Sequence, residues 1–522
     1  MQDPGTLLAT AARRHPRKAG AVCGTARLTY PDLARLAGRI GSAIERSGSR
    51  PGDRLGAWFP NCHLYLATYF AALDLGLVLV PLNTRLLPRE IETILAHSET
   101  GLLIGPPDRL RPLKTVLREG GDGWCLAEVA RQSRVAGKGP GGCGVATGGF
   151  APPAGTAHLY YTSGTTGQPK GVVLTRGNLS AHAAMTLAEL QFRDSDVWLH
   201  AAPMFHLADA WAVWTATAAG ATHVMLPRYE PAGALAAMRR SGVTLTNLVP
   251  AMIPGLLDEV EARSLRPALR LLLSGGAPIA TRLVGRIEEV LGCEYAQTYG
   301  LTETSPFLTF SLLNSDQKRD LPEDEQRRLK ARTGRPARGV ELRVVRPPSS
   351  DKFEDVPADD SAVGEVVVRG ATVTPGYWRD EDATAQAFRG GWFHTGDLGT
   401  LDRHGFLNLV DRAKDVIVTG GESVYGIEVE NTLLEHPGVR EAAVFGVPDD
   451  RWGEAVRAAV VTLPVGAPRA EDLIAFCRQR IAAFKCPRAI DLLTEMPRTG
   501  SGKIDKKALR EPYWAGRARR VN

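Results

Sequence analysis

The densest chemistry in this chain of 522 residues lies in Tyr160-Tyr-Thr-Ser-Gly-Thr-Thr-Gly-Gln-Pro-Lys-Gly-Val-Val173. An apolar run leads into the hydroxyl residues Thr162, Ser163, Thr165 and Thr166, interleaved with Gly164, Gly167 and Gly171, with Lys170 near the end. Glycines let a backbone curl until its N–H groups face one anion, hydroxyls add donors, and the lysine adds charge. That combination suits a polyphosphate. It is not a Walker loop, because Pro169 occupies the place of the second glycine in that pattern. Literal G-x-G-x-x-G matches between Gly137 and Gly144 lie in Gly/Ala/Pro-rich sequence with no strand before and no helix after, so they read as linker.

Further blocks follow: Pro203-Met-Phe-His206, Ser274-Gly-Gly-Ala-Pro278, Tyr299-Gly-Leu-Thr-Glu-Thr-Ser-Pro306, Gly391-Trp-Phe-His-Thr-Gly-Asp-Leu398, Asp411-Arg-Ala-Lys-Asp415, Gly420-Gly-Glu422 and Pro497-Arg-Thr-Gly-Ser-Gly-Lys503. In this order, and with the hydroxyl-rich loop ahead of them, they resemble the adenylate-forming superfamily of acyl- and aryl-CoA synthetases, luciferases and peptide-synthetase adenylation domains. The resemblance runs through nearly the whole chain. It implies ATP, Mg2+ and CoA as cosubstrates and cofactor, and a hydrophobic carboxylic acid (fatty, aryl or terpenoid) as the molecule activated.

The implied chemistry makes physical sense. Attack of a carboxylate on the α-phosphate of ATP joins two anions and expels pyrophosphate, so cations are needed at the reacting phosphorus and at the leaving group. The resemblance makes Glu303, with Thr162, the magnesium ligands, and magnesium prefers such oxygen donors. It sets Thr162, Ser163, Gly164, Thr165, Thr166, Gly167 and Lys170 on the ATP phosphates and Thr302 on the α-phosphate. Gly276, Ala277, Pro278, Gln297, Thr298 and Tyr299 frame the adenine, and Asp397 and Arg412 hold the ribose. Lys503, in a Gly-Ser-Gly-Lys turn, becomes the mobile lysine that bridges acyl carboxylate and phosphate. Lys414 becomes the pivot about which a small C-terminal domain rotates, bringing Gly420 and Gly421 to a tunnel for the CoA thiol.

Two positions depart from the commoner pattern: Ser423 replaces Asn, and Gly426 replaces the frequent Pro after Val-Tyr. Both fall in the thioester-forming segment, which leaves a second reading open: adenylation alone, with the acyl group passed to an acyl carrier protein or finished by a partner enzyme. A third reading, a nucleotide or acyl sensor without turnover, has no need of Lys503. For the acyl group the resemblance gives His206 as gate and catalytic side chain, with Trp211 and Gly300 at the pocket wall; for the tryptophans, core packing is the competing reading. Asp209 is the only aspartate from 206 to 214 able to grip an α-amino group, so an amino acid substrate is not expected.

These residues need a frame, and the hydropathy pattern supplies one. Residues 28–100 and 195–300 alternate amphipathic helical patterns with short apolar runs, the rhythm of a layered α/β domain with parallel strands. From about 334 short β-rich runs suggest a small β unit, and after Arg412 an α+β texture begins. The expected architecture is a large N-terminal domain, 1–412, of layered α/β sheets plus that β unit, followed by a small mobile α+β domain, 413–522. Residues 314–332 are highly charged and expected to be a solvated helix or excursion. The 63 basic and 57 acidic residues nearly balance, without a basic stripe for nucleic acid. Seven cysteines lack paired or metal-ligand spacing, no apolar run suits a membrane span, and the N-terminus lacks a signal-peptide core, so a cytoplasmic enzyme is expected. The sequence leaves open whether it is a monomer or a homodimer.

Overall fold

The hydroxyl-rich loop is the tip of a β-hairpin. The sequence pattern leads from the loop to a helix at Leu179, yet Val172-Val-Leu-Thr175 first continues as a strand. Its β-branched and leucine side chains fit a buried pleat better than a helix turn. In the computed structural model of the protein, which describes residues 3–113, 116–121, 124–128, 153–163, 169–346, 353–463, 466–499 and 503–515, Thr156–Ser163 pairs antiparallel with Pro169–Thr175. The helix Arg176–Glu189 then starts on Thr175, whose side chain accepts from the Asn178 N–H, while the Asn178 side chain accepts from the Thr175 N–H.

The chain divides into two units, neither continuous in sequence. One comprises Met1–Asn247, Gly300–Pro306 and Gly370–Ala387; the other comprises Leu248–Tyr299, Phe307–Arg369 and Phe388–Asn522. In the first, a seven-stranded sheet runs Val116–Gly121, Trp124–Glu128, Leu102–Gly105, Arg54–Ala57, Val78–Pro81, Thr156–Ser163, Pro169–Thr175. Its four central strands are parallel and its edges antiparallel. A second group holds Val197–His200, Thr222–Met225 and Ala19–Cys23 in parallel, with Ala26–Thr29 closing the edge as a hairpin. The α/β layering read from the sequence is the observed one. The helix His63–Asp74 is buried almost all round, which is why its sequence is continuously apolar rather than amphipathic.

In the second unit Leu271–Gly275 runs parallel to Glu294–Gly300, and Phe307–Phe310 carries the short Arg335–Pro336 at its edge. A five-stranded antiparallel sheet follows, in which Trp392–Leu401 pairs with Gly364–Gly370, Phe388–Arg389 and Leu407–Arg412. The charged stretch 314–332 forms two short helices, Ser315–Asp320 and Glu323–Ala331. The second is fastened to the helix Thr281–Leu291 by Lys330 Nζ, 2.5 Å from Glu288 Oε1. After residue 413 another sheet forms, Glu422–Val424, Ile417–Thr419, Gly453–Thr462, Val439–Asp449, with Ala489–Leu493 parallel to Gly453–Thr462. It buries Ile417, Val429, Leu433, Val444, Val460 and Leu473 in a core of its own.

Candidate active site

In the first unit the hairpin places Thr162 directly across from Lys170 and Ser163 across from Pro169. Gly164, Thr165, Thr166 and Gly167 lie outside the described residues. The edge of this hairpin is taken by the turn after Pro375: Tyr377 bridges Val172, and the Trp378 N–H donates to the Gly171 carbonyl at 2.7 Å. Thr374 joins two chemical elements, its Oγ1 donating to Val173 O at 2.5 Å and its N–H donating to Glu303 O at 2.7 Å. Glu303 itself sits in the short 3-10 turn Thr302–Thr304, two residues after Leu301 and three after Gly300. The Tyr377 hydroxyl donates to Glu303 Oε1 at 3.0 Å. Lys170 Nζ stands 5.2 Å from the Tyr377 ring centroid and 3.9 Å from Asp380 Oδ2. Burial and the Glu303 carboxylate push the Tyr377 phenol upward, so it stays a protonated donor at any physiological pH.

The second unit gathers another set. Asp397 and Arg412 face each other across the antiparallel ladder of Trp392–Leu401 and Leu407–Arg412, with Arg412 Nε 3.3 Å from Asp397 Oδ1. The Tyr299 hydroxyl donates to Asp397 Oδ2 at 2.7 Å. Burial raises the Asp397 carboxyl, opposed by Arg412, Tyr299 and Lys503. Gln297 is committed internally: its Nε2 donates to Ala277 O at 2.7 Å and its Oε1 accepts from Tyr295 Oη at 2.6 Å, which fixes the Gly276-Ala277-Pro278 turn. Thr298 Oγ1 donates to Ser274 O at 3.0 Å, and a Cβ at Gly275 would stand 2.4 Å from Thr298 Oγ1, so the two parallel strands approach this closely only with glycine there. Lys503 reaches the same place: its Cε lies 3.4 Å from where a Cβ on Gly276 would stand.

Other expected residues are placed elsewhere or by other forces. Gly420 and Gly421 form the two-residue turn between Ile417–Thr419 and Glu422–Val424, with φ of +61° and +87°. Such a hairpin turn requires positive φ at both positions, a reason for glycine independent of any tunnel. Burial lowers the Lys414 ammonium, with Arg412 and Arg510 acting in the same direction and Asp415 against it. His206 precedes the helix Leu207–Ala219, its ring 4.7 Å from that of Phe205. Trp211 is 0% exposed, its ring packed edge-on to Trp198 at 4.9 Å and to His182 at 5.8 Å. Asp209 is equally buried, with Oδ2 2.6 Å from His200 Nδ1, so its carboxylate is engaged inside the core.

Tyr377 and Asp380 escaped the sequence reading, although Pro375-Gly-Tyr-Trp378 is a turn carrying two aromatics, a signal that deserved weight. Lys506 escaped too, standing three residues past Lys503. Among the described residues no three or more His, Cys, Asp or Glu side chains converge as a metal cage. Magnesium needs none, since it is commonly held by one or two carboxylates together with phosphate oxygens and water. Glu303 and Thr162 are hard oxygen donors of the kind it takes. Among the described residues no helix is long and apolar enough to cross a membrane.

Comparison with known proteins agrees with this chemistry. The profile of the family described as AMP-binding enzyme matches residues 8–378, and that of the AMP-binding enzyme C-terminal domain matches residues 428–503. The chain is 35% identical over 515 residues to feruloyl-CoA synthase of Amycolatopsis sp., covering 98% of this chain and 99% of that protein. It is 34% identical over 527 residues to the fatty acid–[acyl-carrier-protein] ligase ScoC of Streptomyces coeruleorubidus, covering 98% and 96%. Its fold matches o-succinylbenzoate CoA synthetase (MenE) of Bacillus subtilis, solved with the acyl-adenylate intermediate, at a TM-score of 0.78 and 28% identity over 97% of each chain.

Proposed function

We propose how the residues just described divide one reaction between them in this chain, which belongs to the AMP-binding enzyme family. The enzyme is an AMP-forming acid–thiol ligase: it activates a carboxylic acid with ATP and Mg2+ to an acyl-adenylate, releases pyrophosphate, and passes the acyl group to CoA. Glu303 and Thr162 hold the metal ion, which when bound neutralises charge on the phosphates. Lys170, kept near them by the Tyr377 ring and Asp380, attracts the departing pyrophosphate, and Thr302 donates to the α-phosphate. Asp397 accepts from the ribose hydroxyls, held in place by Arg412 and the Tyr299 hydroxyl. The fixed turn at Gly276-Ala277-Pro278 gives the adenine a rigid edge. Lys503 places its ammonium where acyl carboxylate and α-phosphate meet, offsetting the repulsion of two anions.

The observation that carries this reading is Lys503 lying against Gly276 and near enough to Asp397 to lower it, beside residues that suit a nucleoside. For the second step, residues 413–522 turn about Lys414 as a unit, exchanging Lys503 for the Gly420-Gly421 turn; rotation at a few interdomain residues is a common closure device. The acid is hydrophobic and of fatty or aryl type, gated at His206, with Gly300 at its pocket. Trp211 acts through the core rather than by touching the acid. ATP and CoA as substrates, and six free cysteines among the described residues, suit the reducing cytoplasm. Transfer to a carrier protein is a second reading, supported by the likeness to ScoC.

A panel of ferulate, o-succinylbenzoate, octanoate and palmitate, with pyrophosphate and thioester followed separately with and without CoA, tests this. Acid-dependent pyrophosphate release, with thioester only when CoA is present, is the expected result. Adenylate that accumulates despite CoA and is consumed by an acyl carrier protein favours the second reading.

A further inference from the structure

Gly426 stands where the resemblance leads one to expect proline, a residue without the amide hydrogen that glycine carries. The Gly426 N–H donates to Asp411 Oδ2 at 2.6 Å, a bond proline cannot make. Gly426 is also the first residue of the helix Gly426–Leu434, where the fixed φ of proline is well tolerated. A proline here would therefore remove the bond while suiting the helix start, with its Cβ pressed 3.2 Å from the Val444 carbonyl oxygen.

Asp411 lies before Lys414 in the chain, and Gly426 lies after it. The same pocket receives Lys506: a Cβ built on Gly426 would stand 3.3 Å from Asp411 Oδ2 and 3.5 Å from Lys506 Nζ. Lys506 is fixed from its other side by Glu430, Nζ to Oε1 2.6 Å, and Glu430 Oε1 in turn accepts the Val444 N–H at 2.7 Å. The other Asp411 oxygen accepts the Arg412 N–H at 2.7 Å, holding the carboxylate to its own strand end. From Lys506 it is three residues back to Lys503, whose segment is tied to 497–499 by Thr499 N–H to Lys503 O and Asp505 N–H to Pro497 O, both 2.8 Å. A short, tied path thus connects Asp411 to the lysine that lies against Gly276.

We propose that Asp411 is a positioning residue for adenylation, holding Lys503 at the nucleotide through the Gly426 N–H and Lys506, and that Gly426 in place of proline strengthens this hold. The inference rests on the reading of Lys503 as the adenylating lysine and Lys414 as the pivot. Because its partners lie beyond the pivot, rotation about Lys414 breaks these contacts, so they favour one arrangement over the other rather than stabilising both. A hydrogen bond to a charged acceptor shifts such a balance about ten-fold.

The test uses the full chain with ferulate or octanoate, whichever releases pyrophosphate. One rate is pyrophosphate release from acid and MgATP in a single turnover; the other is thioester formation from the chemically prepared acyl-adenylate and CoA. Gly426→Pro and Asp411→Ala should each lower the ratio of the first rate to the second about ten-fold, whereas Gly426→Ala, which keeps the N–H but sets a Cβ 3.2 Å from Val444 O and 3.3 Å from Asp411 Oδ2, should lower it less than Gly426→Pro does. Unchanged ratios, or both rates falling together, overturn the proposal. Should Gly426→Pro fail to fold, Asp411→Ala decides. Lys503→Ala run alongside separates the failures: if it retains pyrophosphate release, the reading of the lysine is wrong, and if it loses release while the other ratios hold, only the role of Asp411 is.

Discussion

Each unit of the chain carries a tyrosine that donates to a carboxylate with a cation set beside the pair, and the two sets differ in where the cation rests. In the first, Tyr377 donates to Glu303 and Lys170 stands over the face of the tyrosine ring. In the second, Tyr299 donates to Asp397 and Arg412 is paired with the carboxylate itself. A guanidinium on the carboxylate suits recognition of neutral sugar hydroxyls, which need only an acceptor. A carboxylate meant for a metal ion is better oriented by a neutral phenol, with the lysine parked on a ring until phosphate arrives. Similar parts are thus arranged for different chemistry, the first set suited to a metal ion and phosphate, the second to neutral hydroxyls.

The largest effect that would break this contrast is at Glu303. Glu303→Gln keeps the hydrogen bond from Tyr377 but removes the charge, and pyrophosphate release should fall about 10²–10³-fold at saturating ATP. A loss under three-fold would remove Glu303 from the metal's shell.

The two units should also part company in acid. The first buries His158 and His182, both lowered to about 3 by burial, and His223, lowered well below its usual value. These groups contribute stability that is complete above about pH 6.5 and lost as pH falls toward 3, at up to about 1.4 kcal/mol per pH unit for each histidine. The second buries Asp397, Asp411 and Glu430, all raised by burial, so their ionisation costs least stability at low pH and most above the ordinary carboxylate range. Hydrogen exchange followed by mass spectrometry at pH 7 and pH 5 should show protection lost first in Met1–Asn247. Uniform loss in both units would contradict the contrast.

The smallest and sharpest effect concerns the phenols. Tyr377→Phe should raise the Mg2+ concentration for half-maximal rate about five-fold with little change in KM for ATP at saturating metal. Tyr299→Phe should raise KM for ATP by a similar factor and leave the metal dependence alone. Identical profiles from both variants would mean that the phenols only pack.

Much of this was legible in the residues. The α/β rhythm over 195–300, the β-rich runs from about 334 and the α+β texture after Arg412 follow from apolar periodicity, and Val197–His200, Val340–Val345 and the helix Gly426–Leu434 fall within them. The strand Pro169–Thr175 was not foreseen, because a glycine-flanked loop before a helix obscures a short β-branched run between them. Asp397 and Arg412 are named only through the resemblance, since Asp397 alone reads as a turn carboxylate, and the structure sets the two face to face. Asp380 and Lys506 carry no such signal, since their partners come close only by folding, and the aromatic turn at Tyr377 does not by itself show the contact with Glu303. The core environment of Trp211 was equally hidden: a tryptophan on an apolar helix reads the same whether it faces a ligand or other side chains.

On the proposed division of labour Lys503 serves the first half-reaction and not the second. Lys503→Ala, measured by pyrophosphate release from acid and MgATP, by ATP binding in calorimetry, and by thioester formation from preformed acyl-adenylate with CoA, tests it directly. Pyrophosphate release should fall about 10²–10³-fold, with ATP binding within a few-fold and thioester formation intact. Undiminished pyrophosphate release, or a matching collapse of thioester formation, would contradict the account.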